Sequence, residues 1–172
     1  MALQLRWSLC QSIGPITAFW PSSLGNPGGM TNDAPAFHRD LARKTGEPLQ
    51  VLIIDDDRET AFSLKEAIED MGDAASVGFD GGEAIALTLA TAPDVLFLDL
   101  SLPGINGLQV AEALRGGGGM GGLKIVAVTG FGDEETRKQT AAAGFDLHLT
   151  KPVRFDVLES MLDLLRSAPV RS

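Results

Sequence analysis

From Leu49 onward, apolar runs of strand length alternate with stretches of helical periodicity. Leu49–Ile54 (LQVLII) is almost continuously apolar, the pattern of a strand buried on both faces. Arg58–Met71 places Ala61, Phe62, Leu64, Ile68 and Met71 near i, i+3, i+4 spacing, and Gly72 stands where a left-handed helix cap belongs. The alternation continues with a strand at Ala74–Val77, a helix at Gly82–Ala90 that ends before Pro93, and a strand at Val95–Leu98. A helix at Gly107–Arg115, a strand at Lys124–Thr129 and a helix at Asp133–Ala143 closed by Gly144 follow. The last unit is a strand at Asp146–Leu149 and a helix at Phe155–Arg166, with Leu158, Met161, Leu162 and Leu165 on one face. Five strand–helix units predict an α/β fold: a doubly wound, parallel five-stranded sheet with right-handed crossovers and helices on both faces.

The first 48 residues read differently. Residues 21–35 (PSSLGNPGGMTNDAP) have linker composition, and 35–46 (PAFHRDLARKTG) could form a short helix. The expected organisation is a weakly structured N-terminal extension over 1–48, a folded domain over 49–168 and a tail over 169–172. Met30, inside the linker, is a candidate alternative start. Trp7 to Trp20 is mildly apolar, but Gln11, Ser12, Gly14 and Pro15 interrupt it. Neither a membrane span nor a signal peptide is expected, and a cytoplasmic location follows.

Charge sharpens the division. Of 172 residues, 14 are Lys or Arg and 23 Asp or Glu, a net charge of -9. Residues 1–48 carry a net +1 and residues 49–172 a net -10. That balance argues against direct nucleic-acid binding, which needs a Lys/Arg excess. The single cysteine, Cys10, excludes an internal disulfide and a cysteine metal cluster.

In a doubly wound sheet, ligands sit outside the carboxyl ends of the strands. Asp55, Asp56 and Asp57 follow the first apolar run, Asp99 follows the third, Thr129 ends the fourth, and Lys151-Pro152 follows the fifth. Each has an ordinary reading by itself. Asp56 or Asp57 could cap a helix, Asp99 could be a turn residue before Ser101-Leu102-Pro103-Gly104, and Lys151 could be a solvated lysine. Gathered on one sheet edge, they describe chemistry. Clustered carboxylates repel and need a cation, and oxygen-only ligands favour a hard ion such as Mg²⁺. A carboxylate can also attack phosphorus to give an aspartyl phosphate, with a lysine and a hydroxyl to receive the phosphoryl oxygens.

At these residues the chain resembles the receiver domain of two-component response regulators, a flavodoxin-like fold. The segments that carry the resemblance are VLIIDDD (51–57), DVLFLDLSLPGINGLQV (94–110), VAVTGFGDEE (126–135) and AGFDLHLTKPV (143–153). The resemblance covers residues 49–167. It implies that Asp99 accepts a phosphoryl group from a sensor histidine kinase or a histidine phosphotransfer protein. It implies Mg²⁺ held by Asp55, Asp56, Asp99 and the backbone carbonyl of Ser101. It gives Lys151 as the partner of the Asp99 carboxylate, Thr129 as the hydroxyl that bonds the phosphoryl group, and a cis Lys151–Pro152 bond. The family usually places Tyr or Phe at the switch position occupied here by His148.

The resemblance implies that the side chains at Ser101 and Phe131 flank the phosphoryl group; neither supplies an acid or amide to orient water, so slow self-dephosphorylation is expected. The glycine-rich stretch Gly116–Gly122 reads as a flexible loop rather than a phosphate cradle, since no Gly-Lys-Ser/Thr follows. With about 120 residues assigned to the receiver, the expected output is an unidentified protein partner. It would dock on a face carrying His148, Arg137, Lys138, Arg154 and Phe155. The competing readings are a phosphate-independent docking module and an aspartyl-nucleophile phosphohydrolase. The latter needs a second Asp at position 101, where this chain has Ser.

Overall fold

A computed structural model of the chain describes residues 47–117, 122–130 and 132–167. The elements are β1 (Gln50–Ile54), α1 (Arg58–Asp70), β2 (Ala74–Gly78), α2 (Gly81–Thr91), β3 (Val95–Asp99), α3 (Gly107–Gly116), β4 (Lys124–Thr129), α4 (Glu134–Ala142), β5 (Leu147–Thr150) and α5 (Phe155–Ser167). All strand pairs are parallel and the sheet order is β2-β1-β3-β4-β5. The chain passes from β1 to β2 on one side and to β3, β4 and β5 on the other. The order therefore reverses between β1 and β3, and their carboxyl ends flank the crevice of the fold.

Continuous apolar strands serve two cores. Val51, Ile53, Phe97, Val126, Val128 and Leu149 pack with Ala61, Leu64 and Ile68 of α1 and Leu158, Met161, Leu162 and Leu165 of α5. The alternate positions Leu52, Ile54, Leu96, Leu98 and Ile125 pack with Ala84 of α2, Val110, Ala111 and Leu114 of α3, and Ala143 at the end of α4. Burying each large side chain contributes roughly 1.5–3 kcal/mol, so both faces of β1 and β3 are strongly specified.

The strands and helices expected between Leu49 and Arg166 are all present, with element ends shifted by at most one residue. Gly72 and Gly144 adopt φ of +90 and +92, as expected for the ends of α1 and α4. α2 instead ends at Ala92, a non-glycine residue with φ 47 whose N–H still bonds Thr88 O. Asp99 is the last residue of β3, paired with Val128 of β4, rather than the first residue after it. Asp146 precedes β5 and receives the Arg115 and Lys124 side chains and the Ile125 N–H. The expected linker, the short helix at 35–46, the alternative start at Met30, Phe131, most of the glycine-rich loop and the tail lie outside the described residues. No described helix is long and apolar enough to cross a membrane.

Candidate functional site

Asp57 caps α1: one carboxylate oxygen accepts the Glu59 N–H at 3.1 Å and the other the Thr60 hydroxyl at 2.6 Å. The Asp57 N–H donates to Asp55 Oδ1 at 3.1 Å, so the cap and the buried acid before it are joined. Asp56 points to solvent between them. Across the crevice, the Ser101 N–H donates to Asp99 Oδ1 at 2.9 Å. Lys151 directly follows β5 and is joined to Pro152 by a cis peptide bond. Its ammonium lies 2.7 Å from both Asp55 Oδ2 and Asp99 Oδ2. Its N–H also donates to Thr129 O at 2.8 Å, tying β5 to the end of β4.

One carboxylate oxygen from each of Asp55, Asp56 and Asp99 lies within 4.8 Å of the others. Asp55 and Asp99 are buried, and Asp56 is exposed. Three carboxylates facing one ammonium leave two negative charges uncompensated. Burial pushes the Asp55 carboxyl above the usual range, and its hydrogen bond and ion pair with Lys151 only partly oppose that. Burial alone would lower the Lys151 ammonium, but its bonds to Asp55 and Asp99 outweigh it and raise the pKa. An all-oxygen donor set with excess negative charge suits a hard divalent cation. The residues present therefore fit Mg²⁺.

Thr129 ends β4, is buried, and stands opposite Thr150 in the register. His148 stands opposite Ala127, two residues before Thr150 along β5. Both of its ring nitrogens are sealed from solvent without a hydrogen-bond partner, although the ring contributes to holding the Asp133 carboxyl low. Ser101 itself is exposed. The fold thus brings Asp55, Asp56, Asp99 and Lys151 into one cluster. Thr129 joins them through the backbone bond to Lys151, and His148 lies two register positions from Thr150.

The family model for the response regulator receiver domain matches residues 51–163. The chain belongs to that family. The receiver domain is 34% identical over 119 residues to response regulator MprA of Mycobacterium tuberculosis, covering 69% of this chain and 51% of that protein. The chain spans about half the length of the curated relatives it matches. Among solved structures, it is similar to a putative response regulator from Chloroflexus aurantiacus, with a TM-score of 0.67, 27% identity, and coverage of 71% of this chain and all of that one. The Francisella response regulator 1452 receiver domain matches with a TM-score of 0.64 and 28% identity, covering 69% of this chain and 96% of that one. A receiver domain is a signalling unit of two-component systems, and receiver domains bind Mg²⁺ in an acidic pocket of the kind that Asp55, Asp56 and Asp99 form here.

The residues that sequence reasoning missed lie behind the carboxylates or at the far edge of the sheet. The Arg166 guanidinium reaches Asp73, which also accepts the Leu49 N–H. Gly81 and Gly107 make backbone approaches too close for a side chain. None of these has a local signature: each depends on which elements the fold sets side by side.

Proposed function

We propose that this chain is a phosphoryl-accepting switch in which Asp99 is the acceptor. The observation that carries the reading is the Lys151 ammonium at 2.7 Å from both Asp55 and Asp99, inside a three-carboxylate cluster. A phosphohistidine on a sensor kinase or phosphotransfer protein is the donor. An Asp99 oxygen forms the new O–P bond while the P–N bond breaks, and the departing imidazole keeps the electron pair and takes up a proton. Asp55, Asp56, Asp99 and the Ser101 carbonyl would hold Mg²⁺. When bound, the cation neutralises charge shared by the carboxylates and the incoming phosphoryl oxygens.

Lys151 screens Asp99 before transfer and pairs with the phosphoryl group afterwards. Thr129 supplies a hydroxyl to the phosphoryl oxygens and carries the change to β5 and His148. Signalling then proceeds by altered protein binding, with the chain catalysing only its own phosphorylation and slow dephosphorylation. The receiver spans 49–168, and no direct contact with nucleic acid is part of this reading.

The test is incubation with Mg²⁺ and acetyl phosphate or a phosphorylated kinase. Acid-labile label on the wild type, absent from Asp99→Asn and from samples in EDTA, is the expected result. No label with any donor refutes the acceptor role and favours a docking module; steady turnover of unrelated phosphate esters favours a hydrolase.

A further inference from the structure

Behind the acidic cluster, the β3–α3 turn is seated by two glycines. Gly107 is the first residue of α3. A Cβ added there would overlap the carbonyl oxygen of Asp99 and come within 2.9 Å of Leu100 Cα. The Gly107 N–H donates to Leu100 O at 3.2 Å. The first turn of α3 therefore rests directly on the backbone of Asp99 and Leu100. Gly81, the first residue of α2, is the second. A Cβ there would overlap the carbonyl oxygen of Ile105 and lie 2.9 Å from Ile105 Cβ. The start of α2 thus presses on the same turn from the other side.

These contacts are main chain against main chain, and a backbone cannot swing aside as a side chain can. On the Thr129 side, the corresponding contact is softer. A Cβ on Gly132 would meet the Thr150 side chain, Cγ2 at 2.6 Å and Cβ at 3.9 Å, and the methyl can rotate away. The acceptor half of the crevice is packed backbone on backbone, whereas the Gly132 contact beside Thr129 is with a side chain.

The distinction matters because group transfer depends on where the attacking oxygen stands; a misplacement of about 1 Å costs on the order of 100-fold. Lys151 and the Ser101 N–H hold the Asp99 carboxylate at its tip, and both bonds could re-form on a slightly shifted side chain. The position of the Asp99 backbone is set by its place opposite Val128 in β3–β4 and by whatever lies behind it. What lies behind it is Gly107.

We propose that Gly107 is a positioning residue for phosphoryl acceptance at Asp99, with Gly81 holding the turn against it. The inference rests on the proposed role of Asp99. The test compares the full-length wild type with Gly107→Ala, Gly81→Ala and Gly116→Ala, the last an α3 position with open space around it. Initial rates of acid-labile labelling are measured against acetyl phosphate concentration at saturating Mg²⁺, well below each variant's melting temperature.

Gly107→Ala is expected to lose roughly 10- to 100-fold in the saturating rate, with the half-saturating donor concentration little changed. Gly81→Ala is expected to lose less, and Gly116→Ala nothing. A folded Gly107→Ala that melts earlier but labels at the wild-type saturating rate would be merely destabilised, and the proposal fails. If Gly107→Ala does not fold, an unchanged saturating rate in folded Gly81→Ala overturns it equally. Absence of label on the wild type refutes the Asp99 reading itself, whereas equal label on wild type and Gly107→Ala refutes only the positioning role.

Discussion

Asp55 and His148 are residues whose local energetics run against the fold. Asp55 is buried beside two other carboxylates, and its raised pKa means that its ionised form is disfavoured in the native state. A carboxyl raised in this way stabilises the fold below its unfolded value of 3.8 and gives that up as pH rises through the folded value. At neutral pH, Asp55→Asn is therefore expected to raise the metal-free melting temperature. The Asn carbonyl can still accept the Asp57 N–H. The same variant should lose most of the Mg²⁺-induced rise in melting temperature; wild-type-like stabilisation by Mg²⁺ would exclude Asp55 as a ligand. His148 buries two ring nitrogens without partners. Replacing them with carbon removes a desolvation cost of roughly 1–3 kcal/mol, so His148→Phe should melt higher than wild type. A lower melting temperature would show that the imidazole has an interaction worth more than its burial costs.

The helices differ in how they are held. α5 buries Leu158, Met161, Leu162 and Leu165, and its last turn adds Arg166, bonded to Met71 O and to Asp73. The Asp73 side chain is only 1% exposed, and its Oδ1 also accepts the Leu49 N–H at the start of β1. Arg166→Ala would leave that carboxylate buried without its cation. Breaking such a pair costs about 3 kcal/mol when fully buried; Arg166 retains some exposure, so a loss nearer 2 kcal/mol is expected by denaturant titration. α4 is built otherwise. Its sequence EETRKQTAA is polar on all sides, and Thr140 is its one buried residue. An element with so little apolar burial opens cheaply, so α4 amides should exchange with solvent faster than those of α1 or α5 in native-state hydrogen exchange. Equal protection across the three helices would contradict this. The contrast explains what was legible at this scale. Apolar periodicity marked α5 and α1. α4 was expected over Asp133–Ala143 with Gly144 closing it; Asp133 is instead its N-terminal cap, and no buried face marks the helix.

Across the whole molecule, the acidic excess of residues 49–172 divides into groups with different pH behaviour. Burial tends to raise the Asp146 carboxyl. The Lys124 side chain, the Ile125 N–H and the Arg115 charge more than offset that and hold it low. The exposed caps Asp57 and Asp133 are also held low, Asp57 first by the Thr60 hydroxyl and Asp133 first by the Thr136 N–H. Carboxyls lowered below 3.8 give stability that is complete above that pH and lost as pH falls through their folded values. The fold should therefore lose stability in acid below about pH 4, and Asp146→Asn should flatten part of that fall. Denaturant midpoints of wild type and variant at pH 7 and pH 3 measure the difference; parallel losses would remove Asp146 from the acid response.

The sequence alone determined the alternation of strands and helices, and with it a parallel α/β sheet, because burial on both faces leaves continuous apolar strands. It also determined that Asp55, Asp56, Asp99, Thr129 and Lys151 fall at strand ends, because an open parallel sheet delivers its strand ends to one edge. Only the tertiary structure decided the distances that turn those residues into a cluster. It also decided that Asp57 serves as a cap while Asp56, though exposed, keeps a carboxylate oxygen within 4.8 Å of Asp55 and Asp99, and that Asp73, Asp146, Gly81 and Gly107 matter at all. The reason is physical. Periodicity records which side of an element is buried, a property of near neighbours in the chain. A backbone approach between residues 99 and 107, or an ion pair between Asp73 and Arg166, depends on how whole elements settle against one another, and no local pattern carries that information.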